Sequence, residues 1–345
     1  MSSKKLFNIV VIAKENWGSL KNFEGVISSS LSKNLQREPK FSFVENYQQY
    51  QEQLNGQDIN CLACSQPGEN ELQLLTQIFN EQQKNIEIIH SFSAGVDKFL
   101  PYLKKLDLKN VQVTNAKGSF SDILGEYVVF SCYYFAKSMP FFIAQQRKKE
   151  WVQDIVYPVK NSTIAIVGLG DIGTEVARQC KANRMKIIGI KRNPSNVTQE
   201  QKDLCDGNIL PLEQLDEALK QSDYVCSVLP KINDTNDIFN LQKFKTMKQS
   251  AVFINIGRGN CVVEEDLVTA LKQNIIRGAA LDVVKQEPMG KDNELWDQEN
   301  ALITHHCGDR TTELIQSSMK TFCQNLSLHL QQKKMQNLVD LEKGY

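Results

Sequence analysis

Three side chains suited to binding an anion and moving a proton follow one another in the C-terminal half of the chain. They are Arg258 between two glycines, Glu287 directly before a proline, and His306 in the stretch Thr304-His-His-Cys307. A guanidinium can grip a carboxylate with two hydrogen bonds, and an imidazole can transfer a proton near neutral pH. A carboxylate beside the imidazole keeps it charged and oriented. These residue types predict acid–base chemistry on an anionic substrate, with Arg258, Glu287 and His306 as the catalytic residues.

A glycine fingerprint precedes all three residues. Gly168, Gly170 and Gly173, with Asp171 and Ile172 between the last two, follow an apolar strand-like run and open a helical pattern. In a dinucleotide-binding unit the first glycine permits a tight turn, the second lets backbone approach a pyrophosphate, and the third lets helix and strand pack closely. Glycines alone mark many turns, but the strand before and the helix after them predict that these five residues bind a dinucleotide. Together with the cation, carboxylate and imidazole, this indicates hydride transfer.

The end of the next strand bears on which dinucleotide is bound. In NAD-binding units an acid stands there for the ribose 2′-hydroxyl. Here Lys191 and Arg192 occupy the position, and no carboxylate lies beside them. Two cations favour the 2′-phosphate of NADP, which an arginine can grip with two hydrogen bonds. The alternative is two solvated cations at a strand end. We expect NADP(H) to be preferred, with NAD(H) possible.

The bulk composition is typical of a soluble globular protein. The length of 345 residues suggests two domains, and 41% of the residues are hydrophobic. Forty basic and forty acidic residues leave no net charge that would attract nucleic acid or an anionic membrane. No apolar stretch reaches the roughly 18 residues of a membrane span. Nine scattered cysteines, an odd number, indicate reduced thiols and a cytoplasmic protein.

Cys61 and Cys64 have the C-x-x-C spacing found in some metal and redox sites. No second pair of cysteines or histidines with ligand spacing accompanies them. We therefore interpret the segment as a short buried strand and predict no metal site.

Two successive series of strand and helix patterns must position these residues. Short apolar runs occur at residues 7–13, 41–45, 61–65, 86–92 and 111–114, and again at 163–167, 186–190, 224–229, 251–256, 278–283 and 301–304. Amphipathic stretches such as 264–272 separate them, and residues 311–336 have the pattern of a last amphipathic helix. Repeated βα units predict an α/β fold with two Rossmann-like domains, each a parallel sheet flanked by helices, and a cleft between them.

Residues 122–136 form a helical pattern that is apolar almost all round, and Pro140 then breaks or kinks it. Such a helix cannot stay exposed to solvent. It must be buried between domains or at a subunit interface. We predict a homodimer built on residues 127–136.

At these motifs the sequence resembles the D-isomer-specific 2-hydroxyacid dehydrogenase family, from about residue 7 to the last helix. Gly308, Asp309 and Thr311 are similar to its glyoxylate/hydroxypyruvate reductase-like branch. The resemblance implies that the chain crosses back to its first domain near residue 311. Residues 1–116 plus 311–345 would form a discontinuous substrate-binding domain, and residues 117–310 the dinucleotide-binding domain.

The resemblance also assigns residues that spacing alone does not identify. The backbone amides of Ala94 and Gly95, after the strand at residues 86–92, would bind the substrate carboxylate together with Arg258. In the family, Asp282 meets the nicotinamide amide. A purely structural role stays open for Asp282 and for Pro230. The further residues implied to lie along the cofactor are Pro230, Ile256, Asp282 and Gly308.

The four histidines differ in their expected roles. The family pattern at the last strand end is Thr-Pro-His, so His305 replaces the proline and His306 matches the catalytic residue. The missing proline leaves His305 as an alternative proton donor. His90 lies in a predicted strand and is expected in the core, whereas His329 lies on the last helix and is expected to be exposed.

The resemblance implies NADPH-dependent reduction of a small 2-oxo acid, such as glyoxylate or hydroxypyruvate, to the D-2-hydroxy acid. Arg258 would hold the carboxylate and His306, its pKa raised by Glu287, would protonate the carbonyl oxygen. Two alternatives stay open: a phosphite-type dehydrogenase, and a nucleotide-sensing corepressor-like or scaffold protein of the same fold. Formate oxidation is disfavoured because those family members carry glutamine where Glu287 stands. We expect neither nucleic acid nor membrane as a partner.

Overall fold

The computed structural model describes residues 4–13, 23–65, 68–311 and 313–344. The chain divides into two compact units, one of Met1–Ser119 with Thr311–Tyr345 and the other of Phe120–Arg310. The domain ranges expected from the sequence also include residues 1–3, 14–22, 66–67, 312 and 345, which lie outside the described residues.

The first unit is built on a parallel five-stranded sheet in the order β2-β1-β3-β4-β5. Its strands are β1 (Leu6–Ile12), β2 (Glu38–Val44), β3 (Cys61–Cys64), β4 (Ile88–Ser91) and β5 (Gln112–Asn115). The helices between them are α1 (Glu24–Ser30), α2 (Tyr47–Leu54), α3 (Glu69–Gln82) and α4 (Leu100–Leu103). Both β3 and β4 are buried along their whole length, which is typical of parallel strands covered on both faces.

All five strands of this sheet fall on the apolar runs that predicted them. Cys61 and Cys64 lie in β3 and are fully buried, which confirms the strand interpretation. His90 in β4 is also fully buried, as expected. Its Nδ1 atom lies 2.8 Å from the Thr114 hydroxyl, and burial lowers the pKa of His90 to about 3, so the ring is neutral in the core.

The second unit contains a parallel seven-stranded sheet in the order β12-β11-β10-β9-β6-β7-β8. Its strands are β6 (Thr163–Val167), β7 (Lys186–Ile190), β8 (Ile209–Leu210), β9 (Tyr224–Ser227), β10 (Val252–Asn255), β11 (Gly278–Leu281) and β12 (Ala301–Ile303). Its helices are α5 (Ser121–Ala136), α6 (Met139–Lys148), α7 (Asp171–Ala182), α8 (Gln199–Leu204), α9 (Leu215–Gln221), α10 (Leu241–Thr246) and α11 (Glu264–Lys272). Strand order reverses at β6, the arrangement of a dinucleotide-binding sheet. The two sheets confirm the predicted α/β fold class.

Two features of the second unit differ from the expectation. Strand β8 was not predicted, because it has only two residues and lies at the sheet edge beside β7. The predicted helix at residues 122–136 is α5, but the break expected at Pro140 falls at Ser138, whose φ is +51°, and Pro140 lies inside α6. Helix α5 is also less buried than its composition indicated, since Phe130 is 51% exposed.

The chain ends in α12 (Leu314–Leu330), which belongs to the first unit. Its apolar face joins a core cluster with one face of β1, and the residues shared there include Phe7, Ile9, Met319, Phe322 and Leu326. None of the helices in the described ranges is both long enough and apolar enough to cross a membrane.

The expectation that His329 is exposed was wrong. Its Nε2 atom lies 2.9 Å from Glu87 Oε2, and Arg37 donates two hydrogen bonds of 2.6 Å to the same carboxylate. Burial alone would raise the pKa of Glu87, but the hydrogen bonds from Arg37 and His329 outweigh it and lower this pKa to about 2. The cluster fastens the end of α12 to the residue that precedes β4.

Candidate active site

The candidate site is assembled at one edge of the second sheet. Strands β9, β10, β11 and β12 are consecutive neighbours and run parallel, so their carboxyl ends meet at the same edge. Arg258 follows β10, Asp282 follows β11 directly, and His306 follows β12. The crevice outside the carboxyl ends of the strands is where ligands bind in open α/β sheets.

The glycine fingerprint follows β6 at the point where strand order reverses. Gly168 has a φ of +108°, and a Cβ there would lie 2.6 Å from the carbonyl oxygen of Val228, so only glycine fits this turn. A Cβ on Gly173 would lie 2.2 Å from the Gly168 oxygen, which explains why α7 can begin so close to β6. Above Gly170 nothing lies within 4 Å of the Cβ position, which leaves the open space that a pyrophosphate needs.

Asp171 and Ile172 form the start of α7, with Gly170 at its N-cap. The Ser121 hydroxyl donates a 2.5 Å hydrogen bond to Asp171 Oδ2. This bond ties the Asp171 carboxylate to the first residue of α5. The helix N-terminus and the glycine cradle fit a dinucleotide phosphate, with the positive end of the helix dipole facing it.

Lys191 and Arg192 lie just past β7, where the sequence placed them. The Lys191 ammonium donates to the Asn196 carbonyl at 2.6 Å and to Gln201 Oε1 at 3.1 Å. Gln201 in turn donates to the Leu169 carbonyl at 3.1 Å, so Lys191 is connected to the fingerprint turn. Arg192 is half-exposed and lies 3.4 Å from the Asp234 carboxylate. None of these partners was predicted from the sequence, and Asp234 is 42 positions from Arg192.

Arg258 lies in an extended stretch whose glycines are required by close backbone packing. A Cβ on Gly257 would lie 2.6 Å from the backbone of Leu229, and one on Gly259 only 2.0 Å from the carbonyl of Val284. These glycines let the loop pass between its neighbours, where no side chain would fit. Arg258 itself is half-buried, and its Nη1 donates to the Gly257 carbonyl at 2.9 Å.

Glu287 and His306 form the hydrogen-bonded pair that the sequence predicted as catalytic partners. His306 Nδ1 lies 2.8 Å from Glu287 Oε2, while Glu287 Oε1 accepts from the backbone N–H of Val284 at 3.3 Å. The carboxylate is therefore held from both sides. With Nδ1 directed at Glu287, the Nε2 atom on the other side of the ring is the one that can meet a substrate.

The charges around the pair favour an imidazolium. The hydrogen bond to Glu287 raises the pKa of His306; burial opposes this, and Glu287 and Asp282 raise it further by charge, whereas Arg258 lowers it. Burial would raise the pKa of Glu287, but His306, the Val284 N–H and Arg258 together lower it. Arg258 thus acts on both partners. The pair is an ionised carboxylate beside an imidazole that holds its proton more tightly than usual.

His305 points to a different partner. Its ring packs edge-on against Trp296 with 5.4 Å between the ring centroids. Both His305 and His306 have a φ of +54°, a left-handed conformation that histidine tolerates better than most residues. Proline is fixed near −65° and cannot adopt it. A proline at position 305, as in the family pattern, would therefore disturb this turn.

The remaining cofactor residues expected from the resemblance lie along the same edge. Ile256 directly follows β10 and is buried, and Pro230 is the third residue past β9. Asp282 is buried and accepts hydrogen bonds from the backbone N–H groups of Cys307 at 2.9 Å and Gly308 at 2.8 Å. Asp282 therefore has a structural task, holding the turn that carries His306.

Ala94 and Gly95 lie in the first unit, in the loop that follows β4. Asn115 Nδ2 donates a 2.8 Å hydrogen bond to the Ala94 carbonyl, which braces this loop against the end of β5. Their part in binding a carboxylate stays a prediction from the resemblance.

Sequence reasoning missed several residues that shape the site. Glu264 accepts from the Lys285 N–H at 2.8 Å and from Asn293 Nδ2 at 2.7 Å, and so braces the loop that carries Glu287. Burial raises the pKa of Asp309, which lies within the electrostatic reach of His306. Asp309 was noted from the sequence only as a match to one branch of the family, with no role in the site. Within the described ranges, no group of three or more His, Cys, Asp or Glu side chains is arranged to hold a metal ion.

A family model for the D-isomer specific 2-hydroxyacid dehydrogenase, NAD binding domain, matches residues 130–308, which is more than half of the chain. The chain belongs to the D-isomer specific 2-hydroxyacid dehydrogenase family. It is therefore an NAD(P)-dependent oxidoreductase, and the predicted family, enzyme class and nicotinamide cofactor are confirmed.

Curated relatives of this dehydrogenase include two named for their reactions. Glyoxylate reductase of Pyrococcus furiosus is 28% identical over 255 residues, which cover 71% of this chain and 73% of that protein. Glyoxylate/hydroxypyruvate reductase B of Escherichia coli is 35% identical over 185 residues, which cover 53% of this chain and 55% of that protein.

Solved structures share the fold over nearly the whole length. An NADPH-dependent glyoxylate/hydroxypyruvate reductase from Sinorhizobium meliloti, in complex with NADP and sulfate, has a TM-score of 0.79 at 22% identity, covering 98% of this chain and 100% of that chain. A D-isomer specific 2-hydroxyacid dehydrogenase from Xanthobacter autotrophicus Py2, in complex with NADPH and MES, has a TM-score of 0.80 at 21% identity, covering 99% and 100%. At these identities the likeness concerns the fold alone.

Replacing Glu287 with glutamine is expected to lower the pKa of His306, because the charge-assisted hydrogen bond and the negative charge that raise it are lost. NMR titration of carbon-labelled histidine measures this directly, since the chain has only four histidines and His306→Gln assigns the signal. Glu294→Gln, which removes an exposed acid of the same loop, is the control and should leave the titration unchanged. An unshifted His306 in Glu287→Gln would contradict the pairing.

Proposed function

We propose that this dehydrogenase reduces a small 2-oxo acid to the D-2-hydroxy acid with NADPH. The observation that carries the proposal is the Glu287–His306 pair, which stands at the same sheet edge as Arg258 and the dinucleotide fingerprint. A proton donor, a cation for a carboxylate and a place for a nicotinamide are the groups that carbonyl reduction of an oxo acid requires. Relatives named glyoxylate reductase and glyoxylate/hydroxypyruvate reductase support small substrates of this kind.

Arg258 is proposed to bind the substrate carboxylate. A guanidinium carries its N–H donors in a planar fork, and two parallel hydrogen bonds from it to a carboxylate also fix the orientation of the adjacent carbonyl. Ala94 and Gly95 stay proposed as backbone donors to the same group, on the basis of the resemblance. The fixed orientation matters because a displacement of about 1 Å can cost on the order of a hundredfold in rate.

His306 is proposed as the general acid. When bound, the nicotinamide supplies the hydride to the carbonyl carbon. The imidazolium gives its Nε2 proton to the carbonyl oxygen, so that the carbonyl becomes a hydroxyl group, and the neutral ring keeps its Nδ1–H on Glu287. The raised pKa of His306 favours the protonated form near neutral pH, while Glu287 stays ionised.

The fingerprint turn, Lys191 and Arg192 are proposed to bind the dinucleotide, with Pro230, Ile256, Asp282 and Gly308 along it. Preference for NADP rests on the two cations and the missing acid after β7. Arg192 and Asp234 are both half or more exposed, so their 3.4 Å contact is weak and can give way to a 2′-phosphate.

A homodimer is proposed on an exposed apolar surface of the second unit. Phe130 on α5 is 51% exposed, and in the stretch 151–157 Trp151 is 97% and Ile155 72% exposed. Two contacts hold the end of this stretch in place. The N–H of Tyr157 donates a 2.8 Å hydrogen bond to the Ala136 carbonyl, and the Arg277 guanidinium lies 5.1 Å from the centre of the Tyr157 ring. Apolar residues fixed on a surface mark an interaction site, and the occupant we propose is a second copy of this chain.

A cytoplasmic location is proposed on the basis of the cysteines. All nine lie within the described residues, no two of them form a disulfide, and all but Cys307 are buried. Free thiols are typical of reducing compartments.

A panel of glyoxylate, hydroxypyruvate, bulkier 2-oxo acids and phosphite, each assayed with NADPH or NADP, tests the proposed reaction. Turnover of phosphite alone would favour a phosphite-type dehydrogenase. If none of these compounds is turned over, a nucleotide-binding role without catalysis is favoured.

NADPH is expected to be used with a higher kcat/KM than NADH. In Arg192→Ala, loss of the contact to the 2′-phosphate should cost about 1.5–3 kcal/mol with NADPH and little with NADH. Lys186→Ala, which removes a cation from the other end of β7, should leave the ratio unchanged. Equal kcat/KM for the two cofactors in the unaltered protein would refute the preference.

His306→Gln is expected to lower kcat by roughly 10²–10⁴-fold, the usual value of general acid catalysis, while NADPH still binds. His305→Asn is the matched control, because asparagine tolerates the left-handed backbone at this position and the ring against Trp296 has no proposed proton to give. If His305→Asn proves inactive and His306→Gln active, the assignment of the donor is off by one residue.

Sedimentation at micromolar concentration is expected to show a dimer. Trp151→Ser combined with Ile155→Glu should give monomers, since a buried charge would face the partner without a counter-ion. Leu6→Ser, which alters an exposed apolar residue of the first unit, is expected to leave the dimer intact. A monomeric unaltered protein would rule out this dimer.

A further inference from the structure

A chain of hydrogen bonds leads from helix α5 to the turn that carries His306. The Tyr127 hydroxyl lies 3.0 Å from the Thr304 hydroxyl oxygen, which lies 2.6 Å from Asp282 Oδ1. The same carboxylate oxygen accepts the N–H groups of Cys307 and Gly308. Tyr127, the first member, is buried and lies 177 positions before Thr304 in sequence.

The donors and acceptors in this series of hydrogen bonds can be assigned in one way only. An ionised carboxylate only accepts hydrogen bonds, so the single hydrogen of the Thr304 hydroxyl points to Asp282. Tyr127 must then donate its own hydrogen to Thr304. Burial raises the pKa of Tyr127 well above its usual range, so the phenol keeps the proton that it donates. The buried Asp282 oxygen thus receives three donors, one of which is oriented by Tyr127.

The turn that this carboxylate holds has an unfavourable backbone. His305 and His306 both adopt a φ of +54°, which costs free energy for residues with a side chain. The turn is kept in place by the bonds to Asp282 Oδ1 and by the N–H of His306, which donates to the Asp282 carbonyl at 2.6 Å. The His306 side chain is 42% exposed, so packing alone does not hold its ring in place. The position of the turn therefore decides whether the ring reaches Glu287.

We propose that Tyr127 is a positioning residue for His306: through Thr304 and Asp282 it fixes the turn so that the imidazole meets Glu287. No hydrogen bond joins Tyr127 to His306 or Glu287. Tyr127 acts only through Thr304 and Asp282, which we call the relay. The catalytic consequence rests on the proposed function, whereas the position of the ring does not. Nothing in the sequence motifs singles out Tyr127, which lies within a helix that its composition marks only as buried.

Four ionisable groups interact with His306, and one of them, Asp282, belongs to the relay. Glu287 and Asp282 raise its pKa by their negative charge, Arg258 lowers it, and Asp309 lies close enough to interact with it. Loosening the turn changes chiefly the contact with Glu287, because that contact is a direct 2.8 Å hydrogen bond and depends most steeply on distance. The pKa of His306 should therefore fall when the relay is cut.

The test is Tyr127→Phe, which keeps the ring in its buried place and removes only the hydroxyl. NMR titration of labelled histidines should show the pKa of His306 lowered by about half a unit to one unit. With the 2-oxo acid that the unaltered protein turns over, kcat should fall about tenfold while KM changes little, because the proton donor moves and the carboxylate site does not.

Matched variants separate this role from a loss of stability. Tyr134→Phe removes a hydroxyl from the same helix without touching Thr304 and should leave both quantities unchanged. Thr304→Val should reproduce the Tyr127→Phe result, and Thr304→Ser, which restores the hydroxyl, should recover most of the lost pKa shift and kcat. Recovery in Thr304→Ser would show that the hydroxyl at position 304 is needed, even if one of the other variants folds poorly.

An unchanged His306 titration in both Tyr127→Phe and Thr304→Val would overturn the proposal, even if the melting temperature falls. A pKa shift with Tyr134→Phe equal to that with Tyr127→Phe would also overturn it, since the effect would then belong to the helix as a whole. If no 2-oxo acid is turned over but the titration shifts as expected, the proposed function fails and the positioning role stands.

Discussion

Parallel pairing of neighbouring strands in the second unit is the constraint on which the site depends. Strands β10, β11 and β12 pair in register, Asn255 with Leu281 and Leu281 with Ile303, so their carboxyl ends form one row. The loops that leave this row begin side by side, although their residues are far apart in sequence. Arg258, Glu287 and His306 therefore share one edge because the backbone leaves no other place for them.

The loops at this edge are held by backbone packing and by one buried carboxylate. The chain around Arg258 passes between Leu229 and Val284, where no side chain fits, so its path is fixed before any ligand is present. Asp282 fixes the histidine turn in the same way with hydrogen bonds. In both cases the free-energy cost of ordering the loop is met when the protein folds and not when a ligand binds. Sites that are ordered in advance in this way gain affinity and rate.

The sequence predicted the features that depend on short-range chemistry. The turn at Gly168 and the run of strands could be inferred because each needs only its own residues, and the pairing of Glu287 with His306 followed from residue types and resemblance. What the sequence could not supply are contacts between distant segments: Asp234 beside Arg192, Glu87 beside His329, and Tyr127 beside Thr304. The left-handed backbone at His305 was also hidden, because the family pattern has a proline there and the conformation excludes it.

The charges of the proposed site make proton donation depend on the substrate. Without substrate, Arg258 lowers the pKa of His306 and so works against the imidazolium that Glu287 stabilises. A carboxylate bound to Arg258 brings a negative charge that offsets this effect, which raises the pKa of His306 in the complex above its value in the free protein. The proton is then held most firmly when an oxo acid is in place to receive it. In the proposed reaction the ring is neutral after the transfer, and its attraction for Glu287 weakens.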